Sequence, residues 1–267
     1  MSHQKILRLH FTQPTAHYRI GFTQQNLHRT YPLPPPSTVL GMIHNLMGCK
    51  TGEQIRDIDI AVVGKYESVY YQYQLFRNLG NPKKHAYKEA HPGGSMPTKV
   101  QLLNSMDIYI YIKSNKEGKY LLDGKKKDFE EIVQAFDNPI MPFIIGRRED
   151  IAILEEYKII DSLEYNELPP GGFQKYATWI RKDSNKEYNF KGISHLLNTY
   201  YELKGNIRNF EKQRYIFIEP QDIELLFKDG DIQVPKLYLD KITIEIENEN
   251  KEVSVPIEFL LDGGGGN

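Results

Sequence analysis

One cysteine, Cys49, is all that the 267-residue chain contains, which excludes an internal disulfide and a cysteine-based zinc site and fits a reducing compartment. Long apolar runs are missing too: none approaches the ~18 residues a spanning helix needs, and no charged start leads into an apolar stretch. The expected location is cytoplasmic, with no membrane partner. No metal-ligating cluster or cofactor motif stands out, so no cofactor is expected. The most telling absence is of one charge sign. Residues 1–52 hold no Asp or Glu, against Lys5, Arg8, Arg19, Arg29 and Lys50, with His3, His10, His17, His28 and His44 among them. A polyanion is the natural partner for such a surface.

The formal charge of -1 conceals this polarity, because 34 Lys and Arg nearly balance 35 Asp and Glu. Residues 1–106 carry 12 basic and 5 acidic side chains, leaving 22 basic and 30 acidic for the remainder. From residue 221 onward there are 11 acids against 4 bases, which suits a protein-contact or solvated face better than a nucleic-acid face. With 40% hydrophobic and 26% charged residues the composition is that of a globular protein. The run of four glycines, residues 263–266, reads as a flexible tail outside the fold.

Periodicity supplies an element order. Residues 6–11 alternate, with Leu7, Leu9 and Phe11 opposite Arg8 and His10, as in a strand with one face left for a ligand. Pro34, Pro35 and Pro36 hold an extended approach. Ser37 is the expected N-cap of a helix carrying Val39, Ile43, Leu46 and Met47, which Gly48 ends. Residues 58–76 read as one long strand broken near Gly64, and residues 106–113 as another. Asp128 and Glu131 suggest a capping box for a second helix, stopped by Asn138 and Pro139, and residues 151–160 form the next strand. The order β, α, β, β, α, β predicts an α+β protein with a ferredoxin-like domain at residues 1–160, whose open sheet face serves RNA recognition in other modules. Residues 161–262 read as a β-rich region, with a hairpin formed by residues 241–247 and 253–259.

Three features carry chemistry. The insertion at residues 78–101 holds Lys83, Lys84, His85, Tyr87, Lys88, His91 and Lys99 against the single acid Glu89. Loops this long are functional or disordered, and Lys with Tyr suits a phosphate backbone with exposed bases; the alternative is a solvated loop. In Gly146-Arg147-Arg148-Glu149, glycine permits close backbone approach and paired guanidiniums reach phosphate oxygens. The alternative there is one arginine paired with Glu149 or Asp150 and the other free. Arg19, Arg29 and the helix start at Ser37 form a third candidate anion site. Tyr70, Tyr71, Tyr73, Tyr109 and Tyr111 offer stacking surfaces, though half of each alternating set must face the core.

At Tyr31-Pro-Leu-Pro-Pro-Pro-Ser37-Thr with its following helix, and at Phe143-Ile-Ile-Gly146-Arg147-Arg148-Glu149, the chain resembles the CRISPR-associated "Cas five" family. The spacing is closest to subtype I-B. The resemblance covers about the first 160 residues. It implies a RAMP-type fold and a non-catalytic subunit of a type I Cascade surveillance complex in antiviral defence, capping the 5′ handle of CRISPR RNA. It also implies contacts with the backbone and large subunits, and with target DNA through the assembled complex. Residues 78–101 would then be a thumb that clamps the handle. One branch of the family cuts precursor RNA without metal through a Tyr, Lys and His set. Lys83, Lys84, His85, Tyr18 and Tyr31 offer those side chains here, so a processing endoribonuclease is the competing reading.

Overall fold

The computed structural model describes residues 5–23, 27–77, 95–167, 176–183, 190, 192–205, 207–219, 226–228, 231–233, 236–246 and 249–261. The chain is mostly β. Its main elements are β1 (Ile6–Ala16), α1 (Pro36–Leu46), β2 (Asp59–Lys65), β3 (Ser68–Arg77), β4 (Ser95–Lys113), α2 (Glu130–Asp137), β5 (Ile153–Ile160), β6 (Ala177–Arg181), β7 (Ile193–Lys204), β8 (Ile207–Ile218), β9 (Lys236–Ile246) and β10 (Glu249–Ile257).

The alternation in β1 places Leu7, Leu9 and Phe11, all fully buried, against one side of a large sheet. Its path runs β5, β1, β4, β2, β6, β8, β7, and neighbouring strands pair antiparallel. Both helices lie over that side: Val39, Ile43 and Leu46 of α1 and Ile132, Val133 and Phe136 of α2 join the same core. Each such side chain removed from water contributes about 1.5–3 kcal/mol. Leu33 packs closely on the backbone of β2 at Gly64, where a Cβ would stand 2.9 Å from Leu33 Cδ2 and 3.0 Å from the Asp107 carbonyl oxygen.

Two local expectations are corrected. The cap of α1 is Pro35, with proline at the first helical position, so Ser37 lies inside the helix and makes no cap hydrogen bond; the φ that proline fixes starts the helix without a side-chain acceptor. The expected capping box is absent because Asp128 ends a short strand, Lys125–Asp128, and α2 is capped by Phe129. Glu131 turns instead to Tyr120 and Lys127. The strand pattern over residues 58–76 is broken as expected near Gly64, at residues 66–67, and both resulting strands pair with β4.

The largest correction concerns the face opposite the helices, which is covered rather than open. The C-terminal hairpin of β9 and β10, in register from Tyr238–Ile257 to Ile246–Glu249, lays Ile242, Ile244, Val255 and Ile257 over Ile6, Ala61, Val63, Tyr109 and Tyr111. Leu237 and Leu239 extend the cover over Ile180, Ile216 and Ile218. Arg8 is drawn into this layer, 3.0 Å from Asp240 and 3.2 Å from Glu156, and the Tyr111 hydroxyl donates to Asp240 at 2.8 Å. Tyr109 and Tyr111 are therefore core residues and no stacking platform. The alternation of β9 and β10 was visible, but nothing in a single sequence says which face a distant hairpin will cover.

Candidate nucleic-acid interface

Because β4 is 19 residues long, it runs from the sheet out into a projecting ribbon. Residues 106–113 lie inside the sheet between β1 and β2, whereas residues 95–104 pair with β3 in a ribbon from Ser68–Asn104 to Arg77–Ser95, whose other edge is joined in parallel by Leu27–His28 at Lys99–Val100 and antiparallel by the end of β1 at Leu103–Asn104. Ser105, at a positive φ of 51°, stands where the ribbon meets the sheet. One ribbon face carries Tyr71 (56% exposed), Tyr73 (70%) and Leu75 (56%) opposite Gln101, Lys99 and Pro97. Lys99 Nζ lies 5.2 Å from the centre of the Tyr73 ring. The other face buries Thr98, Val100 and Leu102. An exposed aromatic row bearing a cation is the surface that stacks bases and holds phosphates.

At the root of this ribbon, the end of β1 meets the loop of residues 146–150. Asp150 is completely buried. Its carboxylate accepts the Arg147 amide at 2.8 Å, Arg147 Nε at 3.1 Å, Arg147 Nη2 at 2.8 Å and the His17 amide at 3.1 Å. Gly146 has φ of +119°, and a Cβ there would meet Asp150 Oδ2 at 2.8 Å and His17 O at 3.1 Å, so only glycine fits without displacement. Gln13, also buried, donates to the carbonyls of Ile145 and Asp150 at 3.0 Å each, and accepts from the Tyr18 hydroxyl at 2.6 Å. Burial holds the Tyr18 phenol well above its ordinary pKa, so it stays a donor at every working pH.

His17 joins loop to ribbon. Its Nδ1 lies 2.7 Å from the Gln101 carbonyl, which can only accept, so Nδ1 carries the proton. Burial, opposed by that hydrogen bond, lowers the pKa of His17, with the Arg147 charge acting in the same direction as burial. The ring is neutral at physiological pH. Gln101 Oε1 in turn accepts the Thr30 amide at 3.2 Å, fixing the short pairing of Tyr18–Arg19 with Thr30–Tyr31.

Of the two arginines singled out in sequence, Arg147 is thus a strut. Its guanidinium also lies 3.0 Å from Glu149, and the carboxylates raise its pKa against the cost of burial. Arg148 is exposed and makes no ion pair among the described residues. Arg19 and Arg29 are exposed on the pairing just described, likewise with no ion pair among the described residues. Three exposed guanidiniums, none ion-paired among the described residues, are thus carried on segments that the buried hydrogen bonds of the junction join. Ser37 is half-buried in α1 and makes no hydrogen bond to the 146–150 loop among the described residues. Lys83, Lys84, His85, Tyr87, Lys88 and His91 lie outside the described residues. The sequence named Asp150 as a partner for one arginine but gave no sign of Gln13 or Gln101, nor that Asp150 also takes the His17 amide.

A protein-family profile described as "CRISPR-associated protein (Cas_Cas5)" matches residues 6–203. The chain belongs to that family. A chain from the solved structure "CRISPR RNA-guided surveillance complex" superposes with a TM-score of 0.50 at 11% identity, covering 80% of this chain and 89% of the other. Another, "Crystal structure of Cas protein", gives 0.42 at 12% identity over 82% and 97%. At these identities the first likeness is one of fold. No curated protein matches the chain. The family match spans β1, the ribbon and the 146–150 loop, so every element of the junction falls inside it. Among the described residues no helix is long and apolar enough to cross a membrane.

Proposed function

We propose that this family member is a non-catalytic RNA-binding subunit of a type I Cascade complex, of subtype I-B, which caps the 5′ handle of CRISPR RNA and contacts the backbone and large subunits. The observation that carries the reading is the junction itself. A rigid, buried network holds out Arg148, Arg19 and Arg29 beside a ribbon that presents Tyr71, Tyr73 and Lys99 to solvent. Arginines with no ion pair among the described residues are available for phosphates, and exposed rings are available for unstacked bases. The strand order β5, β1, β4, β2, with two helices on one side, supports a ferredoxin-like core as the frame. The insertion at residues 78–101 would be the thumb that clamps the RNA, with Lys83, Lys84, His85, Tyr87, Lys88, His91 and Lys99 as its contacts.

Coexpression with a repeat-spacer transcript tests the proposal. The purified protein, in EDTA, should retain RNA of one discrete 5′ end supplied by a separate processing enzyme, and should leave added repeat RNA intact. Cutting of that RNA to a 2′,3′-cyclic phosphate, abolished by His85→Ala or His91→Ala, establishes the endoribonuclease reading instead.

A further inference from the structure

The hairpin of β7 and β8 sorts its charges by face. Along β8, Ile216 and Ile218 are buried beneath Leu237 and Leu239. The same alternation runs outward past that cover through Arg214, Lys212, Phe210 and Arg208, and the three cations are exposed. None of them makes an ion pair among the described residues; Arg208 lies 4.9 Å over the ring of Tyr201. Tyr201 and Phe210 face each other across the two strands with ring centres 5.5 Å apart. The acids of the hairpin, Glu202 and Glu211, take the opposite alternation. Glu202 pairs in register with Asn209, and Glu211 is engaged by Arg56 at 3.4 Å. A net-acidic half of the chain thus carries one purely cationic face with two rings set into it.

We infer that this face of the β7–β8 hairpin is a second nucleic-acid-binding surface, taking a single-stranded segment by its phosphates. Lys212 and Arg214 stand two residues apart, or about 7 Å along a strand, the scale on which successive phosphates follow one another in an extended single strand. Side chains of alternate residues rise on the same face, so a strand of nucleic acid laid along β8 meets cations at Arg208, Lys212 and Arg214 and a ring at Phe210. Tyr201 and Phe210 supply the sequence-tolerant stacking surface that such a groove uses. The family match ends at residue 203, before β8 begins, so the three cations lie outside it, and the face is separate from the Arg148 junction.

The test uses the full chain carrying Arg148→Ala, so that the junction is weakened first, and a fluorescein-labelled dodecauridylate as probe. Adding Lys212→Gln and Arg214→Gln should weaken binding at least about tenfold at 0.1 M salt and lower the salt slope by about 1.4, since each single-strand phosphate contact contributes about 0.7. Thermal unfolding should not move, because both side chains are exposed. Lys212→Arg with Arg214→Lys should restore the affinity. Unchanged affinity and slope overturn the inference. So does loss of a fluorescent polyglutamate peptide with no loss of RNA, which would make the face a docking site for an acidic protein. If Arg148→Ala alone changes nothing while the hairpin substitutions do, the junction reading fails and this one stands.

Discussion

Asp150 Oδ2 accepts the amides of both Arg147 and His17, at 2.8 and 3.1 Å, so one buried oxygen fastens the 146–150 loop to the end of β1. Asp150→Ala strands the half-buried Arg147 guanidinium and two amides. It should cost about 3–5 kcal/mol, as removal of one partner from a buried ion pair does, and Asp150→Asn should cost less because one acceptor oxygen survives. Urea unfolding of the three proteins gives the ranking, and RNA affinity should fall with it even though Asp150 touches no RNA.

Gly146→Ala places a Cβ 2.8 Å from the same carboxylate, at a backbone φ of +119°. The expected destabilisation is about 1–3 kcal/mol, read from the shift in urea midpoint at constant slope. Gly21→Ala, where the surroundings leave open space within 4 Å, is the control and should change the midpoint little.

His44 gives the fold a pH signature. Its Nε2 accepts the Ile55 amide at 2.9 Å, and burial, helped by the charge of Arg208, lowers its pKa from 6.5 to about 4. A histidine with a depressed folded pKa adds stability that is complete above the unfolded value and lost as the pH falls toward the folded one. The relevant window is therefore pH 6.5 down to about 4. Asp59 acts in the opposite sense, because burial raises its pKa to about 6, so its contribution is complete below 3.8 and declines as the pH rises toward 6. The two overlap in wild type and separate in variants. His44→Gln should flatten the loss of stability on acidification between pH 6.5 and 4, whereas Asp59→Asn should steepen it. Chemical denaturation at four pH values across the window reads both signs.

The sheet face under the C-terminal hairpin should be silent toward RNA. Tyr111→Phe removes the hydrogen bond to Asp240 and should cost about 1 kcal/mol of stability while leaving RNA affinity unchanged. Glu245→Lys, on the solvent side of the hairpin, should likewise leave affinity nearly unchanged. Fluorescence anisotropy with handle RNA measures both.

How far the sequence alone could be read follows from these particulars. The alternation in β1, the helical repeat of Val39, Ile43 and Leu46, and the C-terminal hairpin were legible because each is a local pattern. So was the division of labour between two adjacent arginines, one held by an acid and one free. What stayed hidden depends on contacts between remote segments. Gln13 meets Ile145 and Asp150 across more than 130 residues, and Tyr109 and Tyr111 are roofed by strands over 120 residues downstream. Ser37 as N-cap was a plausible local choice that the three preceding prolines overrode. The cationic stripe of β8 was masked by averaging, because a net count over the acidic half cancels charges that the strand puts on opposite faces.

The central claim is most directly tested by the salt dependence of handle-RNA binding for wild type and for Arg148→Ala, alone and combined with Arg19→Ala and Arg29→Ala. Free guanidiniums on phosphates predict that each substitution weakens binding and lowers the slope of log affinity against log salt by about 0.7, to a total near 2 for the triple variant, with thermal stability unchanged. A triple variant that folds normally and keeps the wild-type affinity and slope contradicts the account.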